Sequence, residues 1–400
     1  MITSQNISEL LKGYDLKNLT IGVLGGHSAL DTCHGAKKHG FKTLVVCQKG
    51  REKTYAEYYK TRKDSSSPSG EVGCVDEVII VDNFGDIVKP EIQEQLRSHN
   101  TIFIHSRYFW VYCDFNEIEN NFMVPIFGSR TLVKLEERDH PNNQYVLLEK
   151  AGVRTPKIIR PGDSGMTEEE LNLKMNRHFT EVGSPLIVKV NEATRTYERA
   201  FFVVTSRAQY NETSRKMIES GKITAPDLEK AVIEEFILGA QINFNFFYSP
   251  LTDRLELVGT DTRRQTSLDG FLRLDAKTQL ELIEAGIKPS MIENGHVACT
   301  VKESILEKAF EVGEKFVSTI KKEVDGGIIG PFALQGAVAA YDGKEEIVIF
   351  DVSMRIPGSP GTRFTPYSGY LYGENLSYGE RIAMELKKAI NSNNLESLLT

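Results

Sequence analysis

Short apolar runs alternate with amphipathic segments along the first 130 residues of the chain. The run Thr20-Ile-Gly-Val-Leu-Gly-Gly26 has the pattern of a buried strand that ends in a glycine turn, and residues 28–39 have the pattern of a helix. A second strand at 43–47 completes a βαβ unit, and the strand–helix–strand order recurs over 77–104. This alternation predicts a parallel, Rossmann-like sheet whose first strand-to-helix turn is a site for a phosphate or nucleotide.

The pattern changes between about residues 125 and 155. A short strand is predicted at 123–128, two helical segments surround Pro141, and a new strand follows Pro156. Pairs of strands then alternate with longer helices, which include predicted helices at 302–324 and 379–390. We therefore expect an α/β chain with a Rossmann-like domain at 1–140, followed by a two-part α+β domain at 141–240 and 241–400.

One predicted hairpin carries two hard oxygen ligands. Gln335 ends the run Gly330-Pro-Phe-Ala-Leu-Gln335, and Asp351 lies in the run Glu346-Ile-Val-Ile-Phe-Asp351-Val-Ser-Met-Arg355. An Asp-Gly pair between the runs favours a tight turn. An amide oxygen and a carboxylate on adjacent strands suit Mg²⁺, which takes most of its other ligands from water and phosphates. The alternative is an ordinary amphipathic hairpin with solvated polar residues.

A second pair of runs has the order expected of an ATP site between two antiparallel layers. Lys189 lies near the end of an apolar strand, and Glu234 and Glu235 follow about 45 residues later. The lysine would neutralise phosphate, and the backbone around Ile237 would contact the adenine edge. A lysine at a strand end is also common without any ligand, so the argument depends on the combination with Gln335 and Asp351.

Further polar clusters lie at strand ends in the sequence. His27 and Ser28 begin the first predicted helix, where free N–H groups attract an anion. Lys49 and Arg51 follow the second strand and would hold a substrate phosphate, unless they belong to a solvated loop.

Two arginines in the run Asp261-Thr-Arg263-Arg264 follow a later strand. They would reach the nucleotide or a second anion. Surface salt bridging is the equal alternative.

Composition limits the classes of function. The net charge of −7 carries no basic patch of the kind that nucleic acid requires, and no apolar run approaches the length of a membrane span. Five cysteines without Cys-x-x-Cys spacing argue against a disulfide framework or a zinc site, so we expect them to be reduced and buried. The amino terminus lacks the pattern of a signal peptide, and we expect a cytoplasmic protein. Residues 63–70, rich in serine, predict an exposed loop.

The combination of Lys189, the Glu234–Glu235 pair and the Gln335/Asp351 hairpin resembles the ATP-grasp fold. Several segments together resemble a narrower group, the archaeal formate-dependent synthetases of 5-formamidoimidazole-4-carboxamide ribonucleotide (FAICAR), the PurP family. The matching segments span nearly the whole chain in order: His27-Ser-Ala-Leu-Asp31, Val46-Cys-Gln-Lys-Gly-Arg51, Pro125-Ile-Phe-Gly128, Asn143-Gln-Tyr-Val-Leu-Leu-Glu-Lys-Ala-Gly152, Phe247-Tyr-Ser-Pro250, Gly330-Pro-Phe-Ala-Leu-Gln335, and Tyr372-Gly-Glu374 with Gly379-Glu-Arg-Ile-Ala383.

The resemblance implies a pre-ATP-grasp domain followed by a two-part ATP-grasp domain. It also implies a ligase in purine (IMP) synthesis, which uses MgATP and formate to form formyl phosphate and then formylates the 5-amino group of aminoimidazole carboxamide ribonucleotide (AICAR). It suggests a trimer or hexamer. The residues expected at these sites are His27, Ser28, Lys49, Arg51 and Ser267 for the ribonucleotide, Lys189, Arg195, Glu234, Glu235 and Ile237 for ATP, Gln335 and Asp351 for Mg²⁺, and Arg264 and Arg355 as catalytic cations.

Departures from the family pattern mark a divergent member. The segment 190–199 after Lys189 lacks the glycines that usually wrap phosphates, and Arg195 or Arg199 would have to compensate. Asp351 replaces a glutamate, Ser267 replaces an asparagine, and Arg107-Tyr108-Phe109 occupies the region of a small serine. Two alternatives therefore remain at this stage: an ATP-grasp ligase for another acid or amine, or a paralogue that binds a ribonucleotide without turnover.

Overall fold

The chain is described here from a computed structural model, which covers residues 1–138, 140–190, 200–287, 289–290, 292–341 and 343–400. Three larger sheets organise the molecule, and a small two-stranded ladder is added to the first. The segment 191–199, which includes the predicted phosphate contact Arg195, lies outside the described residues.

The first sheet is parallel, as the alternation predicts, with the strand order β5-β2-β1-β6-β7. Its elements are α1 (Ser4–Leu11), β1 (Thr20–Leu24), α2 (Ala29–Lys38), β2 (Lys42–Gln48), β3 (Arg62–Lys63), β4 (Glu71–Val72), β5 (Glu77–Val81), α3 (Pro90–Ser98), β6 (Thr101–Ile104), α4 (Arg107–Tyr112), α5 (Phe115–Asn120) and β7 (Ile126–Phe127). A π-helical turn (Thr54–Tyr58) and 3₁₀ turns (Phe84–Val88, Val133–Glu136) connect them. Every residue of β1 is buried, as expected for a central parallel strand.

Two expectations for this region are corrected. The strand–helix–strand order over 77–104 predicts one helix between its strands, at 86–98, but that segment is divided, because Lys89 adopts an extended conformation before Pro90 and α3 begins at the proline. Of the two helical segments predicted around Pro141, the first, at 130–138, is only a 3₁₀ turn among the described residues. The ladder between β3 and β4 closes the serine-rich segment, whose residues are mostly exposed as predicted.

The second sheet is antiparallel, with the order β10-β9-β11-β8. Its region contains α6 (Gln144–Lys150), β8 (Ile158–Arg160), α7 (Glu168–Glu181), β9 (Leu186–Val190), β10 (Ala200–Val204), α8 (Arg207–Glu219), α9 (Ala225–Glu229) and β11 (Val232–Glu235). The helix α7 begins at a complete capping box, in which Thr167 and Glu170 satisfy each other's backbone donors. Leu171 and Met175 of this helix pack against the sheet core.

The third sheet is also antiparallel, with the order β14-β13-β12-β15-β16. Its region contains β12 (Ala240–Ser249), β13 (Arg254–Gln265), α10 (Leu268–Phe271), α11 (Ala276–Glu284), β14 (Glu293–Cys299), α12 (Glu303–Glu323), β15 (Gly330–Tyr341), β16 (Lys344–Ser353), α13 (Tyr367–Tyr372) and α14 (Tyr378–Asn391), with 3₁₀ turns at Pro360–Phe364 and Leu395–Leu398. The long helix α12 covers one face, where Phe246, Phe316 and Phe332 form the centre of the core.

The C-terminal helix returns to the first sheet. Gly379 of α14 lies against Gly35 of α2 so closely that a Cβ atom on Gly379 would stand 2.0 Å from the carbonyl oxygen of Asp31. Thr400 then exchanges two backbone hydrogen bonds with Ile126 at the edge of the sheet. Apart from Ala240, the first residue of β12, each larger sheet lies within one of the segments 1–140, 141–240 and 241–400, but this division into domains stays a proposal.

All five cysteines are free; four are buried as predicted, whereas Cys299 is partly exposed. None of the helices in the described residues combines the length and the apolarity needed to cross a membrane.

Candidate active site

A polar row crosses the third sheet on one face. Backbone pairing places Asp261 of β13 opposite Asn243 of β12, Asn243 opposite Gln335 of β15, and Gln335 opposite Asp351 of β16. Directly paired residues project to the same side of an antiparallel sheet. The predicted hairpin is therefore confirmed, with its two candidate metal ligands in direct register, although the Asp342 of its turn lies outside the described residues.

Both oxygen ligands already have cationic neighbours. The amide of Gln335 donates to Ser353 Oγ at 2.9 Å, and its Oε1 accepts a hydrogen bond from the guanidinium of Arg263. The carboxylate of Asp351 lies 3.8 Å from the guanidinium of Arg138. Two hard oxygen atoms that each contact an arginine are compatible with a divalent cation, since the cation would supply the positive charge that the arginines supply in this structure.

The donor set fits Mg²⁺ better than a metal that needs a closed protein cage. Among the described residues no group of three His, Cys, Asp or Glu side chains converges on one point. Mg²⁺ commonly uses one or two protein oxygens and completes its octahedron with waters and substrate phosphates. Gln335 and Asp351 are the residues that would hold it.

Lys189 lies between the second and third sheets and is 7% exposed. Its ammonium forms an ion pair with Glu234 at 2.6 Å and donates to Tyr145 Oη at 3.1 Å and to the Phe350 carbonyl at 3.3 Å. Burial opposes the charge, but Glu234 and Tyr145 outweigh it and raise the pKa of Lys189 above its usual value. The lysine is therefore a permanent cation beside Asp351's strand.

One oxygen of Glu234 has no partner. Its side chain is 1% exposed, and Oε2 is buried without a hydrogen bond in the described part of the chain. A buried carboxylate oxygen without a hydrogen bond lowers the stability of the protein. Glu234 Oε2 is therefore suited to accept a hydrogen bond from a hydroxyl or amine of a ligand.

The linker between β11 and β12 adds an apolar layer and an unused backbone donor. Ile237 packs with Ala337, Ala339 and Val348 of the third sheet. Within the described residues no hydrogen bond is found from the Ile237 amide, while its carbonyl accepts from Gly239. A flat apolar surface beside a free peptide N–H is suited to the edge of a heteroaromatic base. The Glu235 carboxylate accepts from Ser184 at 3.3 Å at the same edge.

Arg355 is buried where the first and third sheets meet. Its guanidinium lies 3.4 Å from Glu136, which also lies 3.6 Å from Arg107 and accepts the Met354 amide. Burial lowers the pKa of Arg355, and burial raises that of Glu136 against the opposing effect of the two arginines. The Nε atom of Arg355 is buried without a partner among the described residues. Arg107 also lies 3.4 Å from Glu137, so two arginines face two carboxylates in this cluster.

His27 faces this centre from the first sheet. A Cβ on Gly358 would lie 3.1 Å from His27 Nδ1, so the loop passes close beneath the ring. The Tyr108 ring lies 6.0 Å from that of His27. Burial lowers the pKa of His27, while Glu293 raises it and His296 and Arg355 lower it further. These couplings place His27 within electrostatic range of the third sheet.

A charged chain of four side chains borders the His27 pocket. His296 Nδ1 lies 2.5 Å from Asp261, His296 Nε2 lies 2.8 Å from Glu293, and the other oxygen of Glu293 lies 3.1 Å from Arg263 Nε. Burial opposes the imidazolium, but its two carboxylate partners raise the pKa of His296 to about 9. His296 is therefore doubly protonated at neutral pH and donates from both ring nitrogens.

The remaining predicted residues have varied positions. Ser28 donates its hydroxyl to the Pro357 carbonyl at 2.7 Å, so it ties the first helix to the loop after the hairpin. Lys49 and Arg51 lie at the carboxyl edge of the first sheet, and Arg51 lies 6.0 Å from the Phe84 ring, which contacts Tyr108. This arrangement brings Arg51 to the same sheet edge as His27.

Two predicted residues lie away from the polar row. Arg264 follows Arg263 on β13 and therefore points to the opposite face, where it pairs with Asp269 at 3.5 Å. Ser267 is in the turn after β13, and its hydroxyl pairs with Ser290. The structure brings neither side chain into contact with His27, Gln335 or Asp351.

Sequence reasoning missed several residues that the structure brings together. They are Ser106, Glu136, Arg138, Tyr145, Glu293 and His296. Ser106 is the second residue after β6, and its hydroxyl is buried with no partner in the described residues, in the region where a small family serine was expected. Alternation along β13 was an available signal, since Asp261 and Arg263 must share a face. The other residues lie far apart in sequence and carry no local signal.

Comparisons with known proteins place the chain in a family. A domain of unknown function (DUF1246) matches residues 21–159, and another (DUF1297) matches residues 209–400. The chain is 35% identical to the 5-formaminoimidazole-4-carboxamide-1-(beta)-D-ribofuranosyl 5'-monophosphate synthetase of Methanobrevibacter smithii, over 99% of this chain and 98% of that protein. It is 33% identical to the protein of the same name from Methanocaldococcus jannaschii, with both chains covered completely.

Solved structures with the same fold were also found. The IMP biosynthesis protein PurP from Thermococcus kodakaraensis superposes with a TM-score of 0.64 at 25% identity, covering 95% of this chain and 100% of that one. The N5-carboxyaminoimidazole synthetase of Staphylococcus aureus matches with a TM-score of 0.53 at 12% identity, covering 91% of this chain and 80% of the other, which supports the fold alone. From its fold and its full-length relatives, the chain belongs to the PurP family of 5-formaminoimidazole-4-carboxamide ribonucleotide synthetases, within the ATP-grasp ligases.

Proposed function

We propose that the protein is an ATP- and formate-dependent ligase that formylates the 5-amino group of AICAR in purine nucleotide synthesis. The observation that carries the proposal is the meeting of three groups between the sheets: the Lys189–Glu234 pair, the Gln335/Asp351 pair, and Arg355 near His27. The Lys189–Glu234 pair would then bind the nucleotide, the Gln335/Asp351 pair would bind the cation, and Arg355 with His27 would bind an anion.

The nucleotide would bind between the second and third sheets. The base of the nucleotide would lie on the apolar layer at Ile237. The edge of the base would accept a hydrogen bond from the Ile237 amide, which has no other partner in the described residues. Lys189 would neutralise phosphate, and the unpaired Glu234 Oε2 would accept from a ribose hydroxyl or the base amine. Glu235 lies at the same edge and would contact the nucleoside.

The reaction consists of two displacements. An oxygen of formate attacks the γ-phosphorus of ATP and the bond to ADP breaks, giving formyl phosphate. The AICAR amine then attacks the formyl carbon, phosphate leaves, and the amine loses one proton. Phosphoryl transfer of this kind depends mainly on positioning and on cations placed against developing charge. Gln335 and Asp351 would hold Mg²⁺, which would supply positive charge against the phosphates.

Arg355 and His27 are positioned for the second substrate. The buried Nε of Arg355, which has no partner in the described residues, would donate to an anionic oxygen of formate or of formyl phosphate. His27 lies at the start of α2 and would contact the ribonucleotide, with Lys49 and Arg51 at the same sheet edge for its phosphate. We further propose that the enzyme is cytoplasmic and assembles as a homo-oligomer.

The direct test measures ADP release from MgATP and formate, with and without AICAR, followed by mass analysis of the product. A product heavier by one formyl group would support the proposal. AICAR binding without turnover would favour a ribonucleotide-binding paralogue instead. Turnover only with another amine would assign the scaffold to a different carboxylate–amine ligase. Thermal shift with MgATP, ADP and AICAR separately would distinguish the last two cases.

The metal assignment has its own test. Replacing Asp351 with Asn should weaken Mg²⁺-dependent nucleotide binding by at least about tenfold with little change in thermal stability, because the carboxylate charge is removed and its volume is kept. The matched control is Glu345→Gln, an exposed acid at the start of the same strand. Unchanged MgATP affinity in Asp351→Asn would exclude that carboxylate from the metal site.

A further inference from the structure

Among the described residues, Arg263 is the cation that contacts the candidate metal ligand Gln335. It lies two residues beyond Asp261 on β13, so it shares the face that carries Asn243, Gln335 and Asp351. Its terminal nitrogen donates to Gln335 Oε1. No other side chain of the described residues is seen on that oxygen.

The opposite side of the same guanidinium is anchored. Glu293 Oε2 lies 3.1 Å from Arg263 Nε, and the other oxygen of Glu293 accepts from His296 at 2.8 Å. His296 is held in turn by Asp261 at 2.5 Å, and Asp261 also accepts from Ser359 at 2.6 Å. The carboxylates of Glu293 and Asp261 thus each contact at least two donors. This series of side-chain contacts ends at Ser359, in the buried loop after the β15–β16 hairpin.

A divalent cation at Gln335 and the guanidinium of Arg263 repel each other. When the metal binds, the terminal nitrogens of Arg263 must leave Gln335 Oε1, but Glu293 still holds Nε. The guanidinium would therefore pivot about Nε. Its terminal nitrogens would then be adjacent to the phosphate oxygens that share the metal, where two parallel N–H donors match phosphate geometry.

We propose that Arg263 contacts the transferring phosphoryl group, and that Glu293 and His296 are positioning residues that aim it. This inference rests on the proposed function, because it takes the γ-phosphate of ATP to lie beside Gln335 and Asp351. It replaces Arg264 with Arg263 as the β13 arginine of the reaction, since Arg264 points away from the polar row.

The first experiment compares binding of MgADP with that of the magnesium complex of a non-hydrolysable ATP analogue that keeps the γ-phosphate. In the wild type the analogue should bind more tightly than MgADP. In Arg263→Met that advantage should fall at least about tenfold while MgADP affinity changes less than threefold. The control is Arg254→Met, an exposed arginine on the same strand, which should keep the wild-type ratio. An unchanged ratio in Arg263→Met would overturn the inference, whether or not turnover is seen.

The second experiment uses turnover. Arg263→Ala should lower kcat at least about 100-fold with a smaller change in the KM for ATP, and added guanidinium ion should restore part of kcat, whereas sodium at equal ionic strength should not. Glu293→Gln and His296→Gln should each lower kcat about five- to twentyfold without loss of folding. Full activity of Arg263→Ala would contradict the role of Arg263 and leave the proposed function intact. An inactive wild type would contradict the proposed function, and the binding comparison would then be the test of the role of Arg263.

Discussion

Replacing Lys189 with Met tests how much the buried ion pair between Lys189 and Glu234 stabilises the fold. Lys189 and Glu234 have side chains that are 5% and 1% exposed, and they lie 2.6 Å apart. The methionine keeps the apolar stem of the lysine but leaves Glu234 charged and buried. Because Glu234 Oε2 already lacks a partner among the described residues, the variant would have both oxygens uncompensated.

Removing one partner of a buried pair destabilises proteins by about 3–5 kcal/mol. The hydrogen bonds from Lys189 to Tyr145 and Phe350 add about 1 kcal/mol each at most, and part of this is already contained in the first figure. We therefore expect Lys189→Met to lower the free energy of unfolding by about 4 kcal/mol. The double variant Lys189→Met/Glu234→Gln removes the stranded charge and should recover about 2 kcal/mol of that loss.

Urea unfolding followed by far-UV circular dichroism would measure both effects. The single tryptophan, Trp110, lies in the core of the first sheet, so its fluorescence reports a different region and should shift less in Lys189→Met. If circular dichroism and Trp110 fluorescence gave different unfolding transitions, the difference would show that the sheets unfold separately. The control is Lys174→Met, an exposed residue of α7. A loss below about 1 kcal/mol in Lys189→Met, or no recovery in the double variant, would refute the reasoning.

Three further outcomes follow from the structure. Gly379→Ala should destabilise the protein by about 3 kcal/mol or more, because the added Cβ would overlap the backbone of α2. The control Gly270→Ala places its Cβ in open space and should not destabilise the protein, and thermal melting would compare the two variants. Burial raises the pKa of Asp31 to about 6, so unfolding free energy should fall as pH rises from about 4 to 6, and Asp31→Asn should remove that slope in urea titrations. The pKa of His296 is raised to about 9 against the opposing effect of burial, so its contribution should be complete below pH 6.5 and lost as pH rises through 9; an NMR titration of its ring that gives a value near 6.5 would contradict this.

Local patterns in the sequence determined most of the elements and one part of the site. The apolar alternation predicts the parallel sheet, and the hairpin places Gln335 opposite Asp351 because only a short turn separates the two strands. Register between neighbouring strands is set by side-chain alternation and turn length, both of which are local properties. The order of Lys189 and Glu234 along the chain carries less information, and their ion pair across the adjacent strands β9 and β11 is seen only in the structure.

Tertiary packing alone decided which charges meet. Arg263 and Arg264 are equivalent in a linear reading, and the pleat of β13 directs only the first toward Gln335. Glu136 reaches Arg355 across more than 200 residues, and His296 lies in a strand that has no strong apolar pattern. Contacts between distant segments depend on how whole sheets pack. The sequence pattern of a strand indicates whether that strand is buried more directly than it indicates which strand will lie beside it. The fold therefore follows from local periodicity, whereas the arrangement of cations in the site follows from the packing of the three sheets.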